Sequence, residues 1–234
     1  AVETLIAHWD SVDLAAQSVP TDLTKIQAKQ AARETKVNNG SQASLSEERN
    51  VFERRHAIWH EAAPGKFGNL PASTAEEFAE HPGCAIRHFK PSGKSKGDIF
   101  YIHGGGWVFG SPDTHHRFCQ VMCEGTSMNV YSLNYPRAPE NSLDTILQAI
   151  ELAINGIKTE PGLPRILAGD SAGATLSLLT ALKSEHSRSW HGLVWLYGPL
   201  DPHLSLRSHR TLANHGGLSK DKMAWYWSQL LGKN

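Results

Sequence analysis

RILAGDSAG, residues 165–173, is the stretch that decides how this sequence is interpreted. Its first half is a short apolar run typical of a buried strand, and residues 172–185 have the composition of a helix. G-x-S-x-G between a strand and a helix is typical of a sharp, strained turn that exposes the serine hydroxyl. Gly169 and Gly173 allow the strand and the helix to approach closely. We expect Ser171 to be a nucleophile; the alternative is a serine that only caps the helix.

A second motif, His103-Gly104-Gly105-Gly106-Trp107, follows directly after a buried strand predicted over residues 98–102. Consecutive glycines let the backbone approach a bound molecule and turn its N–H groups toward that molecule. A phosphate loop would need Lys-Ser/Thr after the glycines or the spacing G-x-G-x-x-G, and neither is present. A flexible connector is the other alternative, but here a strand runs straight into the glycines. Trp107 suits the wall of an acyl pocket or the core equally well.

The sequence pattern changes near residue 64. Residues 1–63 lack strand-like runs and predict three helices, which end near Pro20, Lys36 and Glu61. Such helices bury too little by themselves, so we expect a helical cap or lid over residues 1–63. Strands alternate with helices over residues 64–234, which predicts an α/β core with a mostly parallel sheet covered by helices on both faces. The predicted strands are 84–90, 98–103, 129–134, 165–169 and 193–197, and the predicted helices are 113–127, 142–158 and 172–185.

The composition excludes several classes of function. The 23 Lys and Arg balance 23 Asp and Glu, so the positive surface that nucleic-acid binding depends on is not expected. No apolar run approaches the ~20 residues of a membrane helix and no signal sequence opens the chain, so we expect a cytoplasmic protein. The three cysteines, Cys84, Cys119 and Cys123, cannot all pair, and reduced core thiols are expected. No cofactor or metal is expected, because Cys119–Cys123 and His56–His60 lack further ligands at suitable spacing.

The two glycine motifs and the stretch Tyr135-Pro136-Arg137-Ala138-Pro139-Glu140 together resemble the bacterial hormone-sensitive-lipase family of carboxylesterases, in the α/β-hydrolase superfamily. The resemblance spans residues 84–231, and the N-terminal helices are similar to that family's cap. Tyr-Pro-Arg departs from the family's usual Tyr-Arg-Leu, so the local shape of that loop is expected to differ.

The resemblance assigns roles to individual residues. It implies that Ser171 is the nucleophile and that His103 orients the glycine loop, the alternative for His103 being an ordinary surface histidine. It also implies an oxyanion hole made of the N–H groups of Gly105, Gly106 and Ala172.

An acid and a base for the serine are not evident. In this superfamily the order along the chain is Ser, then Asp or Glu, then His, and the resemblance puts both after the segment that corresponds to residues 218–231. We therefore expect Asp and His, with C-terminal strands and helices of the fold, from sequence beyond Asn234, in a longer chain or a second polypeptide. Asp201 with His209 or His215 satisfies the order on paper, but Tyr-Gly-Pro-Leu-Asp is similar to the loop that precedes the family's acid.

These features predict a serine carboxylesterase-type hydrolase that acts on short-chain or aryl esters, with a small-molecule ester as its only expected ligand. An amidase, an arylformamidase or a lactone hydrolase on the same machinery is one alternative. A non-catalytic relative that binds a ligand or a partner is another, because the base is not evident and a fold does not by itself give a function.

Overall fold

The computed structural model describes residues 44–62, 75–80, 82–183, 190–213 and 218–232. The chain divides into two compact units, Ala1–Ser44 and Leu45–Asn234, and the elements described below belong to the second. The helices predicted to end near Pro20 and Lys36 lie outside the described residues. A boundary between cap and core at residue 63 stays a prediction.

Strands and helices alternate through the described residues. The strands are β1 Ala75–Ala79, β2 Ala85–Lys90, β3 Asp98–Ile102, β4 Asn129–Asn134, β5 Arg165–Asp170 and β6 Gly192–Leu196. The helices are α1 Leu45–Ala62, α2 His116–Thr126, α3 Leu143–Gly156, α4 Ala172–Lys183, α5 Arg207–Thr211 and α6 Lys220–Leu231. The predicted elements between residues 84 and 197 are confirmed, with ends that differ by at most three residues. β1 is an addition that the sequence pattern did not indicate.

The strands form one sheet in the order β1-β2-β4-β3-β5-β6. β2 is antiparallel to both of its neighbours, whereas β4, β3, β5 and β6 are parallel, so the predicted mostly parallel sheet is confirmed. Ile102 lies opposite Gly169 in the register. β3 and β5 therefore end side by side, and the segments that start at His103 and Ser171 leave the same edge of the sheet, where open α/β sheets bind ligands.

The burial of β3 shows that the sheet is covered on both faces. All of its residues are buried; Ile99 and Tyr101 belong to one apolar cluster with Cys119 of α2. Phe100 and Ile102 belong to the opposite cluster, which includes side chains of α3 and α4. Because side chains alternate between the faces of a strand, an uninterrupted apolar run is buried on both sides. All three cysteines are buried free thiols, as expected.

The helices α3 and α6 both begin at a serine that caps their first turn. Ser142 Oγ accepts the N–H of Thr145 at 3.2 Å, and Ser219 Oγ accepts the N–H of Lys222 at 3.1 Å. Such caps satisfy one of the backbone donors that the first turn leaves unpaired. The cap at Ser219 fixes where α6 starts, and therefore where the aromatic side chains of α6 contact the loop after β3.

β6 lies at the edge of the described sheet and is less covered than the other parallel strands. Leu193, Val194 and Trp195 are 36%, 44% and 40% exposed, although consecutive residues of a parallel strand are normally buried on both faces.

Within the described residues, no helix is both long and apolar enough to cross a bilayer.

Candidate active site

Ser171 occupies the sharp turn between β5 and α4. Its φ is 49°, a left-handed value that residues other than glycine rarely adopt and that concentrates at functional sites. Its N–H donates to the carbonyl of Leu196 at the end of β6, at 2.8 Å. A Cβ on Gly169 would lie 2.5 Å from the carbonyl carbon of Gly173, so the close approach of strand and helix requires glycine. The strained turn predicted from the sequence is present, and the role of Ser171 as nucleophile stays a prediction.

Residues 104–111 form a tight loop after β3, which we call the glycine loop. Gly105 has φ +122° and Gly106 has φ +62°, and the carbonyl of Gly105 accepts the N–H of Phe109 at 2.8 Å. A Cβ on Gly105 would run into the carbonyl of Phe109, and a Cβ on Gly106 would run into the ring of Tyr226 on α6. Both positions therefore need glycine for conformational and for steric reasons.

Two hydrogen bonds join the glycine loop to the turn on either side of Ser171. The N–H of Gly104 donates to Oδ1 of Asp170 at 2.8 Å. The indole Nε1–H of Trp107 donates to the carbonyl of Ala172 at 3.1 Å. Since Asp170 and Ala172 are the chain neighbours of Ser171, the loop is bound to the turn before and after the serine.

Gly105 and Gly106 lie between these two anchors along the chain. Ala172 is the first residue of α4, so its N–H is among the donors that a helix leaves unpaired at its N-terminus. The structure thus gathers at one edge of the sheet the four residues that the resemblance pointed to, Ser171, Gly105, Gly106 and Ala172. Their chemical roles stay predictions.

His103 is completely buried beneath the glycine loop, so the alternative of an ordinary surface histidine is wrong. Its Nδ1 lies 2.8 Å from the carbonyl of Gly104, and its ring stacks on Tyr135 with centroids 4.4 Å apart. Burial, together with the nearby His115, lowers the pKa of His103 to about 3, so the ring is neutral. Because its partner is a carbonyl oxygen, Nδ1 carries the proton and donates.

Trp107 belongs to the core. Its side chain is completely buried, and its ring packs against Trp227 of α6 with centroids 4.4 Å apart. With Nε1 also bound to the carbonyl of Ala172, the indole supports the glycine loop from within. Of the two uses that the sequence allowed, core packing is the one found.

Asp170 is the residue of the site that sequence reasoning missed. Its buried carboxylate accepts the hydroxyl of Tyr101 at 2.5 Å and the N–H of Gly104 at 2.8 Å, and His115 Nε2 lies 3.4 Å from Oδ1. Burial by itself would raise the pKa of this carboxyl, but the hydrogen bonds and charge interaction from His115, Tyr101 and Gly104 outweigh it and lower the pKa to about 2. The available signal is an acid at a strand end directly before the serine, at a position that the pattern G-x-S-x-G leaves unspecified.

Helix α1 binds the glycine loop from the outside through Arg49. Its Nε donates to the carbonyl of Val108 and its Nη2 to the carbonyl of Ala138, both at 2.9 Å. The same guanidinium forms a two-pronged ion pair with Glu140 at 2.8 and 2.7 Å. Arg49 therefore joins α1 both to the glycine loop and to the stretch 135–140.

Two further contacts lie one helical turn along α1. Phe52 stacks on Phe109 with ring centroids 5.2 Å apart, and Glu53 accepts the hydroxyl of Ser111 at 2.9 Å. Burial raises the pKa of Glu53, against the lowering effect of the Ser111 hydrogen bond. α1 thus contacts the returning arm of the glycine loop at several points.

The stretch that departs from the family's pattern also contacts the glycine loop. Arg137 donates to the carbonyl of Gly110 at 2.9 Å. A cavity of about 380 Å³ lies along this stretch, lined by Arg49, Asn134, Tyr135, Pro136, Arg137, Glu140 and Asn141. Ser171 is not among the lining residues, so this cavity is separate from the serine turn.

The substitute acid and base considered from the sequence are Asp201 with His209 or His215. Asp201 Oδ2 and His209 Nδ1 are 3.6 Å apart, which is too long for a hydrogen bond. Asp201 instead binds the backbone N–H and hydroxyl of Ser205, contacts that lower its pKa. Within the described residues, no hydrogen bond links this pair to Ser171, and His215 lies outside the described part of the chain.

No group of three or more His, Cys, Asp or Glu side chains gathers as a metal site would require among the residues that the structure describes. Nδ1 of His56 contacts the carbonyl of Phe52 at 2.9 Å, while the side chain of His60 lies outside the described part. The expectation that no metal binds stays a prediction.

Comparison with known proteins shows several related hydrolases. Over 183 residues, 72% of this chain, it is 29% identical to the carboxylic ester hydrolase LipN of Mycobacterium tuberculosis, of which it covers 45%. A hyperthermophilic esterase from the archaeon Pyrobaculum calidifontis superposes with a TM-score of 0.73 at 22% identity, over 93% of this chain and 72% of that one. The thermostable carboxylesterase EstE1 from a metagenomic library superposes with a TM-score of 0.65 at 24% identity, over 82% and 68% of the two chains.

The sequence matches and the structural matches support different conclusions. At such low identity the structural matches show the fold alone, and the chain spans less than half the length of the curated relatives that it matches. A family model described as the alpha/beta hydrolase fold matches residues 99–234, more than half of the chain and the whole region from β3 onward. The chain therefore belongs to the α/β-hydrolase fold family.

Proposed function

We propose that this chain carries the nucleophile and the oxyanion hole of a carboxylic ester hydrolase similar to the hormone-sensitive-lipase family. The observation that supports the proposal most strongly is the pair of hydrogen bonds that join the glycine loop to both neighbours of Ser171, from Gly104 to Asp170 and from Trp107 to Ala172. By joining the loop to both sides of the serine turn, they would keep the strained serine close to the N–H groups of Gly105 and Gly106.

The chemistry follows from this arrangement. Oγ of Ser171 attacks the ester carbonyl carbon, and the carbonyl oxygen takes up the negative charge and accepts the N–H groups of Gly105, Gly106 and Ala172. The alcohol leaves, and water then releases the acyl group from the serine. Each preorganised donor of this kind stabilises the transition state by about 3–4 kcal/mol where one has been removed.

The proton of Ser171 needs an acceptor, which we propose to come from sequence beyond Asn234 or from a second polypeptide. The exposed strand β6 supports this proposal. Leu193, Val194 and Trp195 would be covered if further strands and their helices extended the sheet at this edge. The carboxyl ends of parallel strands added there would lie beside Ser171, whose N–H is already bound to the end of β6.

The names of the relatives, carboxylic ester hydrolase and esterase, support carboxylic esters as substrates, and short-chain or aryl esters are our proposal within that class. Amides, arylformamides and lactones would react through the same attack on a carbonyl. Substrate profiling at matched enzyme concentrations distinguishes these classes. A cytoplasmic location, which the small number of cysteines favours, also stays a proposal.

Labelling with a fluorophosphonate probe, followed by peptide mapping, tests the nucleophile. We expect the label on Ser171 and its loss in Ser171→Ala, in this chain combined with the sequence or second polypeptide that is proposed to carry the base. Ser142→Ala is the matched control, because Ser142 is an exposed helix cap and its removal should leave labelling unchanged. Turnover of p-nitrophenyl acetate should follow the same pattern.

A folded protein that carries the complete sequence but takes no label at Ser171 would overturn the proposal. That result, with ligand binding retained, would favour the alternative of a non-catalytic binding protein. Labelling at Ser171 without ester turnover would instead direct the search to amides and lactones.

A further inference from the structure

Asp170 forms the meeting point of several polar contacts directly before Ser171. Its Oδ1 accepts the hydroxyl of Tyr101 at 2.5 Å and the N–H of Gly104 at 2.8 Å. Its Oδ2 lies 3.5 Å from the hydroxyl of Tyr197. The donors come from β3, from the glycine loop and from the end of β6, so one carboxylate joins three separate segments.

The contact with Gly104 leaves no spare room. A Cβ on Gly104 would collide with Oδ2 of Asp170 and would lie 3.0 Å from its carbonyl oxygen. Gly104 precedes the two glycines that the proposed function assigns to the oxyanion hole. A fixed N–H of Gly104 fixes the peptide plane between His103 and Gly104. The backbone that carries the N–H groups of Gly105 and Gly106 follows directly after that plane.

His115 also contacts the carboxylate. Its Nε2 lies 3.4 Å from Oδ1 of Asp170, and since a carboxylate only accepts, this nitrogen carries the proton in the contact. Its Nδ1 lies 2.8 Å from Oγ1 of Thr114, and the same hydroxyl oxygen lies 2.8 Å from the carbonyl of Ser111 in the glycine loop. Both ring nitrogens thus have a polar neighbour.

We infer that Asp170 and His115 are positioning residues for the oxyanion hole: the carboxylate holds the glycine loop through Gly104, and His115 holds the carboxylate. This inference rests on the proposed function only in naming the loop's purpose. A carboxylate acceptor makes a stronger hydrogen bond than a neutral one, and preorganised donors stabilise developing charge without rearranging during the reaction. Loss of either side chain should loosen the loop locally.

Amide hydrogen exchange measured by NMR tests the inference without requiring turnover. In Asp170→Asn we expect exchange at Gly104 to accelerate by about one to two orders of magnitude, as expected when a hydrogen bond to a charged acceptor is weakened. Leu133 in the central strand β4 serves as the internal reference for global unfolding, and its exchange should change less. In His115→Gln we expect Gly104 to accelerate several-fold.

Asp98→Asn is the matched control. Asp98 is a buried aspartate at the opposite end of β3, where Oδ1 accepts Nδ2–H of Asn129 at 2.8 Å. Its loss should change Gly104 and Leu133 by the same factor, because it acts only through global stability.

Unchanged exchange at Gly104 in Asp170→Asn, or equal acceleration at Gly104 and Leu133, overturns the inference. If Asp170→Asn does not fold, His115→Gln decides, and an unchanged Gly104 in that variant is equally fatal. A failure of fluorophosphonate labelling in the wild type would refute the proposed function while leaving the exchange result valid, so the two failures are distinguishable.

Discussion

Arg49 gives a quantitative test of how helix α1 is held to the glycine loop. Its guanidinium makes two kinds of contact: hydrogen bonds to the carbonyls of Val108 and Ala138, and an ion pair with Glu140. The Arg49 side chain is 19% exposed, whereas that of Glu140 is 53% exposed. The two kinds of contact should therefore differ in their contribution to the free energy of unfolding.

The exposures decide which contact contributes more. A hydrogen bond from a charged donor contributes about 1.5–3 kcal/mol, and Arg49→Met removes two such bonds, partly replaced by water, so we expect a loss of about 3 kcal/mol. An ion pair with a half-exposed partner contributes about 0–1 kcal/mol, so Glu140→Gln should cost less than about 1 kcal/mol. The carbonyl contacts thus outweigh the ion pair.

Urea-induced unfolding at pH 7, in low and high salt, measures both losses. Salt should reduce the effect of Glu140→Gln and leave most of the effect of Arg49→Met, because salt screens exposed ion pairs more than partly buried hydrogen bonds. Arg54→Met is the matched control, since Arg54 is an exposed residue of the same helix and its loss should change stability by less than about 0.5 kcal/mol.

Equal losses in Arg49→Met and Glu140→Gln would show that the ion pair is the dominant contact and would refute this reasoning. A loss in Arg49→Met no larger than in Arg54→Met would show that α1 does not depend on these contacts.

Three further outcomes are expected. The pKa of Asp170 is lowered from 3.8 to about 2, so its carboxylate stabilises the fold above pH ~5 by about 2 kcal/mol, a contribution that is lost as the pH falls toward 2. Urea unfolding at pH 5 and pH 3 should therefore show a smaller loss of stability on acidification in Asp170→Asn than in the wild type. Equal losses would contradict the lowered pKa of Asp170. Gly106→Ala places a methyl group at φ +62° and against Tyr226, so fluorophosphonate labelling in the complete protein should slow by about 10²-fold, and an unchanged labelling rate would count against this glycine as a donor. Ser142→Ala removes the hydrogen bond to the N–H of Thr145 and should cost about 1 kcal/mol in thermal unfolding, whereas an unaltered transition would mean that the cap is dispensable.

The features that the sequence predicted well are those set by neighbours along the chain. The alternation of strands and helices and the turn at Ser171 depend on local chemistry and on periods of two or 3.6 residues. The mostly parallel sheet follows from that alternation, because a helix between two strands allows them to lie parallel. For these reasons the fold class and the position of the serine followed from the sequence alone.

The features that it did not predict depend on contacts between distant residues. Asp170 lies next to Ser171 in sequence, but its partners come from other elements: the register of β3 against β5 brings Tyr101 close, and His115 lies at the N-cap of α2. Arg49 meets Glu140 across 91 residues, and no local pattern encodes that pairing. Trp107 remained undecided because an aromatic residue suits a pocket wall and a core equally well.

The contacts of the glycine loop separate two requirements of the proposed reaction. The loop is held by Asp170 through Gly104, by its own Trp107 through Ala172, and by Arg49 through Val108, and all of these residues belong to the described part of the chain. The contacts that would preorganise the proposed oxyanion donors therefore involve no general base. In serine hydrolases, loss of the triad leaves a residual rate enhancement of about 10³–10⁴ from the oxyanion hole and binding. In the proposed reaction, the described part of the fold thus supplies the contacts for charge stabilisation, and the source of the base would determine whether Ser171 reacts at an enzymatic rate.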